Sequence, residues 1–281
     1  MIIFRLRNYD EYQHHSQMMH EEYASRERYE KKLVSKWRKS FKVSGYSYPV
    51  GRKVRFHVDF KYSRNNGLPN WRERLVCPIS RLNNRMRASV HIFDIECSPY
   101  RQDRIYISEQ VTPLYKYFSS RFENIMGSEF LGEGFTPGSL NTSGVRHEDL
   151  TNLSFNNGSF EHFLSFDCFE HIPNYQKTFS ESSRILAPGG TMLFTVPFAL
   201  HSQLNITRAR VSADGTIEHI LEPEYHGDPM NKEGCLCYQY FGWEMLNELK
   251  NAGFRDAFAV LCWSKDYGYL GGEQILFVAK K

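Results

Sequence analysis

Residues 145–198 limit the possible fold more than any other stretch. Residues 161–166 form a short apolar run between polar turns, and residues 191–196 form a second run bounded by Gly189, Gly190 and Pro197. Runs of this length with such flanks predict buried strands. Between them, residues 174–186 predict a helix with Ala187-Pro188-Gly189-Gly190 as its stop signal. Strand, helix, strand implies a right-handed crossover between parallel strands. Ligands bind such sheets outside the carboxyl ends of the strands, so Phe166, Asp167, Glu170 and His171 are expected to line a pocket.

The same stretch carries Asp149, then Leu153-Ser154-Phe155, Ser159-Phe160-Glu161, Phe169-Glu170-His171-Ile172 and Leu186-Ala187-Pro188-Gly189-Gly190. In this order it resembles the class I S-adenosylmethionine-dependent methyltransferases. Their pattern reads roughly as acidic-x-x-x-L-P-F-x-x-x-S-F-D, a strand, L-E-H-hydrophobic, and L-x-P-G-G before a further strand. The resemblance implies an α/β fold: a seven-stranded, mostly parallel Rossmann-like sheet with helices on both faces, over residues 90–281. It also implies S-adenosylmethionine as cofactor.

Carried residue by residue, the resemblance nominates a cofactor crevice. Residues 105–109 are expected to be the first strand, and Thr112-Pro113 opens the next helix with a hydroxyl cap and a proline in its first turn. Relatives have a glycine-rich E/D-x-G-x-G loop here, whereas this chain has Glu109-Gln110-Val111-Thr112-Pro113. Two outcomes stay open. Either the loop binds by another route, with Glu109 near the cofactor's ammonium and the helix start at Thr112 near its carboxylate, or cofactor binding is lost. Residues 124–129, through Ser128 to Glu129, fit the family's second strand, and an acidic side chain at that strand end accepts both ribose hydroxyls. The competing reading of Glu129 is a surface residue. The resemblance gives Asp149 the adenine amino group and Leu150 the face of the ring, while Phe166, Asp167 and His171 cover the cofactor or face the acceptor.

Residues 198–234 read as a long irregular connection, the kind of loop that binds substrate at a sheet edge. Within it His226 and Asp228 are the pair best suited to take a hydroxyl proton, imidazole as base and carboxylate as its aid, with His171 as the next candidate. The plainer reading is a turn beside Gly227 and Pro229. Zinc on Cys235, Cys237 and His226 is poorly spaced, and no metal is expected. Residues 241–252 predict a helix, and 258–263 with 274–279 a closing antiparallel pair linked through 268–272.

The N-terminal part has another character. Residues 9–41 contain no proline or glycine, and Tyr12, Met19, Tyr23, Tyr29, Leu33 and Trp37 approximate one helical stripe, supported by Glu27 with Lys31. This helix, assigned to residues 1–40, is expected to pack on the domain or on a second subunit. Residues 41–89 read as strands and turns, with alternating Val54, Phe56, Val58 and Phe60 and an Asn65-Asn66-Gly67 turn. They resemble a small zinc-ribbon module found before the domain in some relatives. Ser47, Val50, Cys77 and Ser80 stand at its ligand positions, which predicts a metal-free relic. Arg85 and Arg87 either close a pocket on an anion or form salt bridges.

Residues 1–90 hold 20 Lys and Arg against 8 Asp and Glu, although the whole chain is only +3. That suits an anionic partner or a solvated face docked on an acidic body. No apolar run reaches the roughly 18 residues of a membrane span. The start carries no secretory signal pattern, and six scattered cysteines fit a reduced cytosol. The expected activity is O-methylation of a small molecule or glycan, such as a sugar of a surface polysaccharide or a secondary metabolite. RNA or protein methylation ranks second, and a non-catalytic binding protein third.

Overall fold

A computed structural model describes residues 1–34, 39–63 and 67–281. In chain order the elements are β1 (Ile2–Leu6), α1 (Tyr9–Met18), α2 (His20–Val34), β2 (Ser40–Ser47), β3 (Arg52–Asp59), α3 (Asn84–Cys97), β4 (Arg104–Ile107), α4 (Pro113–Arg121), β5 (Asn124–Gly127), β6 (Phe160–Phe166), α5 (Tyr175–Ile185) and β7 (Leu186–Thr195). Six short strands follow: β8 (Ile206–Thr207), β9 (Ala209–Val211), β10 (Ile217–His219), β11 (Tyr225–His226), β12 (Cys235–Leu236) and β13 (Gln239–Tyr240). The chain closes with α6 (Met245–Asn251), β14 (Asp256–Ser264) and β15 (Tyr269–Lys280).

Seven strands form one sheet in the order β1-β14-β15-β7-β6-β4-β5. The pairs β5–β4, β4–β6 and β6–β7 are parallel, whereas β15–β7 and β1–β14 are antiparallel. The sheet is therefore mixed, which corrects the mostly parallel expectation. Parallel neighbours need a crossover, and only the segments carrying α4 and α5 supply one here, whereas the hairpin at the C-terminus and the strand at the N-terminus pair antiparallel. Strand β1 was not anticipated, because five residues of mixed polarity give no period.

Residues Met1–Leu6, Asp10–Ser98 and Ala259–Leu276 make one compact unit, and Arg7–Tyr9, Pro99–Phe258 and Phe277–Lys281 the other. In the first, the long helix expected over 9–41 is two helices broken at Met19, and Trp37 lies outside the described residues, as do Asn65 and Asn66. The buried face of α2 is Arg26, Glu30 and Val34 rather than an apolar stripe alone. Glu273 holds it, accepting from Arg26 Nη1 at 3.1 Å and Tyr23 Oη at 2.9 Å, with His15 Nε2 also 2.9 Å away. The Glu27–Lys31 pair forms, at 2.6 Å. Strands β2 and β3 make an eight-residue antiparallel ladder that buries Phe41, Val43, Phe56 and Val58 against Trp71, Leu75 and Cys77.

Arg87 follows neither of its two expected roles. It is fully buried, donates to the Tyr267 and Gly268 carbonyls at 2.7 and 3.1 Å, and lies over the Phe56 ring. Burial lowers its pKa to about 10. Arg85 pairs with Glu73 at 3.2 Å, Arg5 with Glu96 at 2.7 Å, and Arg74 with Asp59. With Arg26, these make five of the twenty N-terminal Lys and Arg, and all five are engaged within this unit. At the expected ribbon positions, Ser47 Oγ donates to Cys77 Sγ at 3.5 Å.

In the second unit, α4 starts where its sequence signals say: Thr112 Oγ1 accepts from Tyr115 N at 3.1 Å, and Pro113 occupies the first turn. Leu114 and Phe118, four residues apart, bury its inner face. Helix α5 packs Phe179 among Phe169, Tyr175, Phe194 and Phe241, and each buried phenylalanine contributes about 1.5–3 kcal/mol. The Pro188-Gly189-Gly190 stop lies within β7, as an irregularity: the β6 partner of Leu186 is Phe160, but the next, His162, pairs with Thr191. Residues 198–234 are not irregular throughout. They form with 235–240 three small antiparallel ladders, β8–β13, β9–β10 and β11–β12, and this last pair puts His226 opposite Cys235. Among the described residues no helix is long and apolar enough to cross a membrane.

Candidate active site

The carboxyl ends of β4, β5 and β6 open on one edge of the second unit, and the nominated residues divide there into three groups. Glu129 and Asp149 end neighbouring segments: Glu129 forms a parallel bridge with His147, and Glu148 N donates to Glu129 O at 3.2 Å. Glu129 Oε1 accepts from Gln110 N at 2.7 Å and Val111 N at 3.1 Å. Asp149 Oδ1 accepts from Thr151 N and Thr151 Oγ1 at 2.8 and 2.9 Å. Each carboxylate keeps its other oxygen, Glu129 Oε2 or Asp149 Oδ2, with no protein partner among the described residues. Burial raises the Glu129 pKa, and the nearby Asp228 carboxylate adds to it.

The turn that replaces the glycine-rich loop is clamped. Besides the two amides on Glu129, Gln110 Oε1 accepts from Arg146 N at 2.8 Å and Gln110 Nε2 donates to Gly144 O at 3.1 Å. Gly127 makes room for it, since a Cβ there would come within 2.5 Å of the Tyr115 ring and 2.7 Å of Glu109 O. The turn holds itself against the end of β5 with polar side chains where a glycine loop would use bare backbone.

A second group turns inward. Ser128 is buried and its hydroxyl lies 2.7 Å from Tyr106 Oη. Its hydroxyl is therefore engaged inside the unit and does not point toward a ligand. The Thr112 oxygen caps α4, while Leu150 and Phe166 are buried at 7% and 8% exposure. Glu109 is half-buried in the clamped turn. Asp167 follows β6 with a left-handed φ of 51° and accepts at Oδ1 from Thr195 Oγ1 at 2.8 Å.

The third group is built on His171 and His226, whose rings meet edge to face with centroids 5.0 Å apart. Between them sits Glu170, fully buried, with Oε1 at 3.4 Å from His226 Nδ1 and 3.6 Å from His171 Nε2. Proximity to Glu170 raises the His226 pKa, and Glu224 adds to it; burial raises that of Glu170. Asp228, expected beside His226, instead accepts from Met230 N at 2.7 Å, and its charge falls on Glu129. The carboxylates at His226 are Glu170 and Glu224, which corrects the His226–Asp228 pair. Glu224 and Asp228 both flank the two-residue β11, and the bond from Met230 N draws the Asp228 carboxylate into the following turn. Glu224 was missed in the sequence, because Glu224 and Asp228 stand equally far from His226 and local spacing does not choose between them. Chemically, this group can draw a proton from a hydroxyl or bind a cation.

Residues 118–194 match a family described as a methyltransferase domain, covering the last turn of α4, β5, β6, α5 and most of β7. No curated protein matches the chain by sequence. Among solved structures it is similar to Burkholderia thailandensis 1,6-didemethyltoxoflavin-N1-methyltransferase with bound 1,6-didemethyltoxoflavin and S-adenosylhomocysteine, at 15% identity over 70% of this chain and 78% of that one, TM-score 0.41. An S-adenosylmethionine-dependent methyltransferase from Mesorhizobium loti is 14% identical over 69% of this chain and 96% of its own, TM-score 0.40. Haemonchus contortus phosphoethanolamine N-methyltransferase 2 is 15% identical over 69% of this chain and 52% of its own, TM-score 0.40. With TM-scores this low, none of the three bears on the site. The two open carboxylate oxygens at adjacent strand ends fit a ribose diol and an adenine amine, so the donor set is compatible with the cofactor of the matched domain. The stretch similar to a methyltransferase domain, residues 118–194, carries Glu129, Asp149, Glu170 and His171.

Proposed function

We propose that the protein transfers a methyl group from S-adenosylmethionine to a hydroxyl of a small molecule or sugar. The observations that support this most are the open oxygens on Glu129 and Asp149 after β5 and, after β6, a buried Glu170 set between two histidines. Glu129 takes the ribose hydroxyls and Asp149 the adenine amino group. The cofactor brings an activated methyl group when bound. The chain's part is to align the acceptor with it and to manage the acceptor's proton, and alignment contributes most. That proton is handled at the cluster of Glu170, His171 and His226, where general acid–base help is worth typically about 10²–10⁴-fold.

A hydroxyl acceptor is favoured over RNA because Arg5, Arg26, Arg74, Arg85 and Arg87 of the basic N-terminal part are engaged within their own unit. We further infer that the β2–β3 module is a ribbon without metal, with the Ser47–Cys77 contact in place of thiolate ligands. Calorimetric titration with S-adenosylhomocysteine tests the cofactor site, and no heat at millimolar ligand would leave a non-catalytic binding protein. Transfer of labelled methyl from S-adenosylmethionine to a panel of sugars, nucleotide sugars, RNA and protein tests the acceptor. Labelled RNA alone, with binding that weakens steeply with salt, would replace this reading.

A further inference from the structure

Among the described residues no lysine or arginine pairs with Glu170. The Glu170 carboxylate is completely buried, and neither of its oxygens receives a well-formed hydrogen bond from the described residues. A buried carboxylate left uncompensated costs several kcal/mol. Its neighbours are two imidazoles, each with its far nitrogen already placed on another acceptor. His171 Nδ1 lies 2.8 Å from Leu236 O, which only accepts, so that nitrogen carries the ring proton and Nε2 turns a lone pair toward Glu170. His226 Nε2 lies 3.3 Å from Glu224 Oε1, which likewise fixes the proton there and leaves the Nδ1 lone pair facing Glu170. Glu224 is itself held: Tyr240 Oη donates to its two oxygens at 2.6 and 2.7 Å, and Arg208 Nη2 stands 3.2 Å away. Two lone pairs and a carboxylate oxygen thus converge, their atoms within 4.8 Å of one another.

We propose that Glu170, His171 and His226 hold a divalent transition-metal ion of the zinc or iron(II) kind. Ligand atoms around a tetrahedral ion with bonds of about 2.0–2.1 Å stand about 3.4 Å apart, and the two pairs made by Glu170 Oε1 are at 3.4 and 3.6 Å. Two imidazoles with one carboxylate suit zinc, iron, manganese or nickel better than magnesium or calcium. The Leu236 carbonyl on one histidine and the Glu224 carboxylate on the other are the outer partners that orient metal-binding imidazoles. Three protein ligands leave a coordination position open, as catalytic ions do and structural ones do not. The cysteines weighed in the sequence lie outside this group: Cys237 Sγ donates to Gln239 O at 3.3 Å. The spacing of 171 to 226 gave no hint of it, because the ligands meet only through the β11–β12 ladder.

This inference goes beyond methyl transfer and is tested apart from it. Zinc is titrated by calorimetry into chelator-treated protein, and S-adenosylhomocysteine into the same samples. The expected result is one equivalent of zinc bound at micromolar affinity or tighter, with a raised unfolding midpoint. His171→Ala and His226→Ala each weaken zinc binding at least about 100-fold, and Glu224→Ala weakens it about 10- to 100-fold without touching the ion. A circular dichroism spectrum and a cooperative unfolding transition like those of the unsubstituted metal-free protein show that these variants fold. Absence of stoichiometric zinc binding overturns the proposal and leaves a proton to satisfy Glu170. Binding that survives in the His171→Ala/His226→Ala double variant overturns it too, as an adventitious ion only. A protein that binds S-adenosylhomocysteine and no zinc loses the ion alone, and one that binds zinc and no S-adenosylhomocysteine loses the cofactor crevice alone.

Discussion

Two glutamates at the same sheet edge are provided for in opposite ways. Glu129 receives two backbone amides from the turn after β4, and one oxygen remains open. Glu170, completely buried, receives no hydrogen bond of that quality from the described residues and faces two imidazoles at 3.4 and 3.6 Å. The first carboxylate is part of the scaffold: it fixes the turn that stands in for a glycine-rich loop, and only its free oxygen is left for a ligand. The second is a buried carboxylate between two imidazoles, where we propose a metal ion. Electrostatic stabilisation inside a protein is strong only where the dipoles are fixed beforehand, and here the two kinds of fixing lie side by side.

The contrast can be broken by substitution, and the largest expected effect is at Glu129. Glu129→Ala orphans the Gln110 and Val111 amides; it should cost about 1–3 kcal/mol of stability and weaken S-adenosylhomocysteine binding about 100-fold. Denaturant unfolding and calorimetry measure the two effects, and an unchanged turn with unchanged affinity would refute the scaffold role. Gly127→Ala follows, because its new methyl meets Tyr115 and Glu109 O; about 1–3 kcal/mol of destabilisation should appear in the same unfolding assay. Glu129→Gln sharpens the comparison. Its carbonyl oxygen still accepts the two amides, so stability should stay within about 1 kcal/mol while affinity falls roughly tenfold with the loss of charge-assisted bonding to the ribose. The smallest effect is expected at Glu170→Gln in metal-free protein. Removing an uncompensated buried charge should leave stability unchanged or raise it by about 1 kcal/mol, the opposite sign to Glu129→Ala. A loss of several kcal/mol would mean that Glu170 is already compensated within the chain.

The first unit adds a pH dependence of its own. His91 stacks on Tyr48 with ring centroids 3.7 Å apart, meets Tyr267 and Tyr269, and has Asp94 nearby; burial lowers its pKa to about 4. Between pH 6.5 and about 4 the unfolded chain binds the proton and the folded chain does not, so stability should fall as pH drops through that window. Unfolding at pH 5 and 7 should show this slope, and His91→Gln should flatten it. A variant that keeps the full slope would clear His91 of the effect.

Several elements could be read from local residues. The Thr112-Pro113 start of α4, the β6–α5–β7 crossover and the alternation in β3 follow from caps, turns and periods that act over a few positions, and each stands close to where the sequence puts it. Other features had no local signal. The single helix expected over 9–41 divides at Met19, and its inner face carries Arg26 and Glu30, whose partners Glu273, Trp263 and Gly271 are more than two hundred residues away in the chain.

The sequence by itself determined the strand-helix-strand core and the chemical types at its edge, because hydrophobic period, capping and turn residues are properties of neighbours. Tertiary structure alone decided that the sheet is mixed, that Ser128 faces Tyr106, and that His226 answers to Glu170 and Glu224 rather than to Asp228. Each of these depends on which distant segments pair and in what register. A shift of one residue in a strand turns a side chain to the opposite face, and nothing in the local pattern of residues 224–228 records that choice.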